Sequence, residues 1–318
     1  MKYCPKIGQF LIFFFILSYS FRVFSQNFKI VPLGVKGGID ESNLSAYMVG
    51  AGGTDNYICL DAGTLHYGID KAIAKKVFSI PAEQVLRRYI KGYFISHAHL
   101  DHISGLIINS PDDTAKNIYA LANCIETIKT HYFSWESWAN FANEGDKPAL
   151  NKYHYQVLKP DSITAIQNTT MTVQAFPLSH SNLTSAAFLI RSNDAYLLYL
   201  GDTGPDEVEK SNNLQSLWQA IAPLVKSKKL KGIMIETSFP DEQPDKTLFG
   251  HLTPRWLMKE MVDLASLTGN QALNGFNLII THVKPPQDNI EKIKVELKAE
   301  NSFKINLIFP EQGAAIEL

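Results

Sequence analysis

The sequence predicts an α/β (α+β) fold of four layers, two β-sheets packed face to face with helices outside them, in the order αβ/βα. Three observations predict it. From Phe28 to Leu60 short apolar segments alternate with Gly-rich or Asn/Asp/Ser turns, which reads as consecutive strands. A second such region covers Met171 to Gly201, including Thr172-Val173-Gln174-Ala175-Phe176 and Ala195-Tyr196-Leu197-Leu198-Tyr199-Leu200. Helical patterns fill much of the rest: Ala115 to Thr130, Leu214 to Lys226, Pro254 to Leu267 and Asn289 to Glu300. With 318 residues, 45% of them hydrophobic and 19% charged, the chain can bury a large core. No repeat, low-complexity tract or linker interrupts residues 26–318, which read as one domain.

At the start, Lys2 and Lys6 precede the apolar run Phe10-Leu11-Ile12-Phe13-Phe14-Phe15-Ile16-Leu17, and Val23-Phe24-Ser25 leads into Gln26. This is the layout of a secretory signal peptide over residues 1–25, cleaved after Ser25, so a periplasmic or secreted protein is expected, meeting a membrane only through its leader. The run is short for a span of ~20 residues, and Arg22 breaks its continuation. Cys4 precedes the apolar core, the wrong side for a lipid-modified cysteine. Cleavage would leave Cys59, in the strand-like run Tyr57-Ile58-Cys59-Leu60, and Cys124, in a helical pattern; both read as buried, inert thiols rather than a disulfide framework.

After the apolar run Tyr93-Phe94-Ile95 comes His97-Ala98-His99-Leu100-Asp101-His102, four metal-binding side chains in six positions. In a strand running into a loop, His97 and His99 point the same way and can share one ion, while Asp101 and His102, where the chain turns, can reach a second. Imidazole with carboxylate suits zinc or related divalent ions, manganese and iron among them. The formal net charge is -1, so no basic field argues for a nucleic acid polymer. A phosphate-bearing substrate would be held by local metal charge, which favours a small molecule.

Residues 131 to 156 carry Phe133, Trp135, Trp138, Phe141, Tyr153 and Tyr155 among polar residues. Such an insertion either forms a lid that stacks a purine base or pins itself to the core. Further along, His180 follows Ala175-Phe176-Pro177-Leu178-Ser179, Asp202 ends Tyr199-Leu200-Gly201, and His282 ends Leu278-Ile279-Ile280-Thr281, so each sits where a strand-like run stops. His66, His131 and His154 lack that setting. No Gly-x-Ser-x-Gly motif or catalytic cysteine setting competes.

The whole segment from His97 through Gly105 to Ser110-Pro111 resembles the signature of class II cyclic nucleotide phosphodiesterases, and its His-x-His-x-Asp-His core belongs to the wider metallo-β-lactamase superfamily. Leu33-Gly34-x-x-Gly37-Gly38, Asn43-Leu44-Ser45-Ala46-Tyr47 and Asp61-Ala62-Gly63-Thr64 also look like this family. The resemblance implies the four-layer sandwich of the metallo-β-lactamase type and two divalent ions, zinc first. His97, His99 and His180 would hold one, Asp101, His102 and His282 the other, and Asp202 both. Ile235-Glu236-Thr237-Ser238-Phe239 followed by Gly250-His251-Leu252-Thr253-Pro254 resembles phosphodiester-cleaving branches of the superfamily. There His251, ahead of a helix starting near Pro254, would donate a proton or contact phosphate, with Glu236 orienting it. Asp101, His251 and Glu236 thus form the candidate catalytic group, and Asp61 would orient a ligating imidazole by accepting its other N–H. The implied reaction is hydrolysis of a 3′,5′-cyclic nucleotide, cyclic AMP first and cyclic GMP second, to the nucleoside 5′-phosphate by a hydroxide bridging the ions. Two alternatives stand beside it: a hydrolase of the same fold acting on another phosphodiester, ester or lactam, and a noncatalytic metal- or nucleotide-binding protein. Oligomeric state has no signal in the sequence.

Overall fold

The computed structural model describes residues 27–318 together with Met1 and Tyr3; the rest of the expected leader, Cys4 included, lies outside the described residues. The first sheet collects β1 (Phe28–Gly34), β2 (Ala46–Ala51), β3 (Tyr57–Leu60), β4 (Ile90–Phe94), β5 (Lys116–Ala120) and β6 (Tyr153–Val157). The second collects β7 (Ile163–Ala165), β8 (Met171–His180), β9 (Leu183–Ser192), β10 (Ala195–Leu200), β11 (Leu230–Glu236), β12 (Asn277–Thr281) and β13 (Asn306–Ile308). The last strand, β14 (Ile316–Glu317), returns to the first sheet and pairs antiparallel with β1. The orders are β14-β1-β2-β3-β4-β5-β6 and β13-β12-β11-β10-β9-β8-β7.

Alternation along the strands explains why two sheets need four layers. In β10, Leu197 and Tyr199 enter the core between the sheets, while Leu198 and Leu200 face the opposite way. In β2, Tyr47 and Val49 face the second sheet, and Ala46 and Met48 face outward. The outer face of the first sheet is covered by α1 (His66–Ala74), α2 (Ala82–Gln84), α3 (Leu100–Asn109) and α4 (Ala122–Thr127). Over the second sheet, after the short α5 (Asp206–Glu209), lie α6 (Asn213–Lys226), α7 (Pro254–Thr268) and α8 (Gln287–Glu300). The expected αβ/βα sandwich is therefore the observed one. Cys59 and Cys124 are free and buried, as expected, and burial pushes both thiols well up.

The helical expectation for Ala115 to Thr130 needs correction. Its first part is the strand β5, parallel to β4, and only Ala122–Thr127 forms α4, which widens into a looser turn at Ile128–Tyr132. Adjacent residues go to opposite cores: Ile118 packs under the outer helices and Tyr119 stacks on Phe94 between the sheets, with ring centroids 4.5 Å apart. Only a strand does that.

Residues 131–156 take the core-pinned course. Phe133 and Tyr153 are fully buried, and Tyr153 opens β6. Trp138 Nε1 donates to Ser110 Oγ at 3.0 Å, and Lys152 Nζ donates to the carbonyls of Ser110 and Pro111 at 2.7 and 2.8 Å. The segment is thus tied to the C-terminal end of α3, roughly 12 Å along the helix from Asp101 and His102, while near its start the Tyr132 hydroxyl donates to the Ala98 carbonyl at 2.7 Å. Trp135 and Trp138, the exposed rings of the segment, stack over nothing at the site.

Candidate metal centre

The strands β3, β4, β8, β10, β11 and β12 all end at one edge of the sandwich, where the chain leaves the ladders. His97 and His99 lie in the loop after β4, and His99 is the residue preceding α3, which puts Asp101 and His102 in that helix's first turn. From the second sheet come His180 at the end of β8, Asp202 after β10, Glu236 at the end of β11 and His282 after β12. All nine predicted site residues are brought to this edge.

His97 Nε2 lies 3.0 Å from His99 Nδ1, and His180 Nε2 lies 3.4 Å from the same atom. Asp202 Oδ2 is central: 3.2 Å from His102 Nε2, 3.3 Å from His282 Nε2, and 3.8 Å from both His97 Nε2 and His180 Nε2. Asp101 Oδ2 is 3.2 Å from His282 Nε2. Five groupings of potential ligands follow: His97, His99 and His180; His97, His102 and Asp202; Asp101, His102 and His282; His180, Asp202 and His251; and Glu236, His251 and His282.

The partners of the remaining ring nitrogens fix which nitrogen carries the proton. His180 Nδ1 is 2.7 Å from the Gly250 carbonyl, which can only accept, so Nδ1 holds the N–H and Nε2 presents a lone pair. His102 Nδ1 donates to Asp61 Oδ2 at 2.8 Å, leaving Nε2 bare. Ser96 Oγ spends its hydrogen on Asp61 Oδ2 at 2.8 Å and so accepts from His97 Nδ1 at 3.1 Å. Ser238 Oγ gives its hydrogen to Glu236 Oε2 at 2.6 Å and accepts from His282 Nδ1 at 2.9 Å. Four imidazoles therefore aim bare Nε2 atoms into one space. Among the described residues, two buried atoms there, His102 Nε2 and Asp202 Oδ1, have no hydrogen-bond partner, although Asp202 Oδ2 is close to the first. An orphaned nitrogen and an orphaned carboxylate oxygen in a nest of lone pairs is what a cation-binding cage presents, and the donor set fits divalent ions.

Electrostatics agree for His97, His99 and His282 but not for His102. Burial pushes His97 below its ordinary value, with His102 adding to the effect, and burial likewise lowers His99 and His282, so these rings stay neutral. His102 differs, because the carboxylates of Asp202 and Asp61 outweigh burial and raise it. Asp202 is held well below the usual carboxylate range against its burial by His102 and His282, and Asp101 is lowered against burial by His282 and His102.

Glu236 sits beside this cage, fully buried. Its Oε1 accepts from His251 Nδ1 at 2.8 Å and from the Thr203 backbone N–H at 3.0 Å. The orienting contact expected between Glu236 and His251 is thus present, and His251 stands just ahead of α7, as expected. His251 Nε2 then has no hydrogen to give; it meets Lys284 Nζ at 2.7 Å. Burial and the charge of Asp202 raise Glu236 to about 7, while burial takes His251 down to about 3.

Asp61 accepts from the Ser96 N–H at 2.7 Å, Ser96 Oγ, His102 Nδ1, and the Tyr199 hydroxyl at 2.5 Å. Its place beneath an imidazole was legible in the sequence; the serine relays were not. Ser96 directly precedes the histidine motif and Ser238 follows Glu236 by two residues, which is the one signal either gave. Two glycines of the quoted motifs are required by close approach. A Cβ on Gly37 would lie 2.1 Å from the His282 ring, and Gly250, at φ +78°, would place one 2.7 Å from His180 Nδ1. Beside the cage a cleft of about 270 Å³ opens, lined by His97, His99, Asn123, Thr127, Leu183 and Thr184 among others.

A family model described as cAMP phosphodiesterases class-II matches residues 27–313. A 3′,5′-cyclic-nucleotide phosphodiesterase of Aliivibrio fischeri is 44% identical over 314 residues, covering 94% of this chain and 95% of that protein. The solved structure of unliganded yeast PDE1 matches with a TM-score of 0.79 at 22% identity, over 92% of this chain and 100% of that one. The metallo-β-lactamase fold protein YhfI of Bacillus subtilis matches with a TM-score of 0.60 at 18% identity, over 91% of this chain and 99% of the other. At those identities the two structures speak for the fold alone, which is the αβ/βα sandwich of the metallo-β-lactamase type.

Proposed function

The chain belongs to the class II cAMP phosphodiesterase family, and from that membership we infer that it is an enzyme hydrolysing 3′,5′-cyclic nucleotides with the help of divalent metal. The single observation that carries the metal dependence is the set of bare imidazole nitrogens converging on Asp202, two of its atoms orphaned in the protein interior. We propose two ions, zinc first: His97, His99 and His180 would hold one, Asp101, His102 and His282 the other, and Asp202 both. When bound, such ions supply positive charge to the phosphoryl group and make water acidic enough to attack at neutral pH.

The chain's own residues do the rest. Asp61, Ser96 and Ser238 take the Nδ1 hydrogens of His102, His97 and His282, so each of these rings turns Nε2 into the cage. Opening the cyclic diester at the 3′ oxygen would give the nucleoside 5′-phosphate, with the leaving oxygen needing a hydrogen-bond donor on the side away from attack. The cleft beside His97 and His99 is where the nucleoside would lie, its small and apolar lining suiting a flat base. Cyclic AMP is the first expected substrate and cyclic GMP the second. Export after loss of residues 1–25 is proposed on the same footing as the metal identity, supported by Lys2, Lys6 and the apolar run behind them. A mature N-terminus at Gln26, read by mass spectrometry, is its test.

The activity test incubates the zinc-loaded protein with cyclic AMP, cyclic GMP and bis(p-nitrophenyl) phosphate and separates the products by chromatography, with His99→Ala beside it. Release of 5′-nucleotide that disappears in the variant is expected. Hydrolysis of the generic diester alone would keep the metal centre and move the natural substrate to another phosphodiester.

A further inference from the structure

Lys284 is a cation in an unusual place. It leaves β12 two residues after His282, its backbone N–H donates to the Ser238 carbonyl at 3.3 Å, and its side chain is half-buried. The ammonium lies 2.7 Å from His251 Nε2 and 5.1 Å from the centre of the Phe239 ring. Phe239 in turn packs edge-on against His251, at 5.7 Å between centroids. Among the described residues, no carboxylate comes within 4.0 Å of its Nζ. An ammonium carries three N–H donors and accepts nothing. One of these is taken by His251, whose own hydrogen is committed at Nδ1 to Glu236. The other two have no protein acceptor among the described residues, and they stand one imidazole ring away from Asp202 Oδ2, which is 3.8 Å from His251 Nδ1.

A half-buried cation without a carboxylate, carrying spare donors one imidazole ring from Asp202, is a contact waiting for an anion. We propose that Lys284 touches a phosphoryl oxygen of the substrate directly, and that His251 acts as its positioning residue, held in turn by Glu236. This rests on the phosphodiesterase reading and reassigns one part of it: the hydrogen facing the substrate belongs to Lys284 and not to His251 Nε2. The chain Glu236, His251, Lys284 fixes the ammonium through two hydrogen bonds, so a side chain with four rotatable bonds presents its charge at one point.

The test uses the whole zinc-loaded protein and inorganic phosphate as probe, so that it does not depend on any nucleotide being turned over. Lys284→Met keeps the packing on Phe239 and removes the charge. Calorimetry should show phosphate affinity falling tenfold or more, with zinc content and Tm unchanged, and Lys284→Arg should recover part of the loss. The double variant His251→Ala with Lys284→Met should bind phosphate no more weakly than Lys284→Met alone, because a positioning residue has nothing left to position. Equal phosphate affinity in wild type and Lys284→Met, or no phosphate binding to the zinc-loaded wild type, would overturn the contact, and additive losses in the double variant would overturn the positioning role. If phosphate binding responds as expected while cyclic nucleotides are left intact, Lys284 stands and the substrate reading falls.

Discussion

Asp61 takes four hydrogen bonds on a residue with φ +53°, a backbone conformation that few side chains adopt. The fully buried carboxylate is satisfied only by donors: the Ser96 N–H and hydroxyl, the His102 ring and the Tyr199 hydroxyl. Asn at this position would aim an amide NH₂ at some of those donors and free His102 to hold its proton on Nε2, the atom facing the metal cage. We therefore expect Asp61→Asn to lower metal retention by roughly 10- to 100-fold in competition with a chelator. Circular dichroism should report a folded protein, and unchanged metal stoichiometry would refute the tautomer argument. The residue scale is also where the sequence was most informative about the site. His97 to His102 announced themselves by density, and Asp61 by standing at a strand end. Lys284 gave no signal, because a lysine in a proline-containing loop reads as solvated until the fold lays it against His251.

At the scale of elements, two connections carry separable predictions. The first is the tie between α3 and residues 131–156, through Trp138 to Ser110 and Lys152 to the carbonyls of Ser110 and Pro111. Here the sequence left two courses open, because aromatic rings serve packing and stacking equally well and only the far end of α3 decides between them. Trp138→Phe should cost about 1 kcal/mol of stability, from one lost hydrogen bond and some area, and leave kcat and KM for cyclic AMP within twofold. A tenfold rise in KM would instead restore the lid. The second connection joins α6 to α7, where Trp218 Nε1 donates to Glu260 Oε2 at 2.8 Å. Burial raises Glu260 from 4.5 to about 7, with Asp206 and Asp263 adding to it against the Trp218 bond. Because its folded pKa lies above the unfolded one, the folded state keeps a proton that the unfolded chain has released, and stability falls as pH rises from about 4.5 to about 7. Gln keeps an acceptor for Trp218 and never ionises. Glu260→Gln should therefore raise stability at pH 8, by at most ~3 kcal/mol, and change little at pH 4. Thermal melts at the two pH values read the difference, and equal gains at both would contradict it. The misread stretch Ala115 to Thr130 belongs to this scale too. Its apolar positions Ile118, Leu121, Ile125 and Ile128 repeat at helical spacing, yet the parallel partner Ile90–Phe94 claims Lys116–Ala120 for the sheet. A pairing partner that distant overrides local periodicity.

The molecule as a whole is two helix-covered sheets whose shared apolar core needs no metal, and one polar edge that does. The paired β-rich regions made the layers legible in the sequence, whereas β14 was not legible: two residues near the C-terminus pair with Lys29 and Ile30, across nearly the whole chain. Long-range closure of this kind leaves no local pattern. At the polar edge the first sheet delivers His97, His99, Asp101 and His102, and the second delivers His180, Asp202 and His282, so any ion held by this set ties the two sheets together. A ligand bound by the folded state alone stabilises it by RT ln(1 + [L]/Kd), about 2.7 kcal/mol at a hundredfold excess over Kd. Chelation should therefore lower Tm by several degrees without unfolding the protein at 25 °C, since Phe94, Tyr119, Phe188 and Tyr199 continue to bury the core between the sheets. Readdition of zinc should restore Tm, and in Asp202→Ala both the loss and the restoration should shrink, because the carboxylate on which four imidazole nitrogens converge is gone. A Tm indifferent to complete, quantified metal removal would mean that the converging nitrogens are satisfied by something other than a cation.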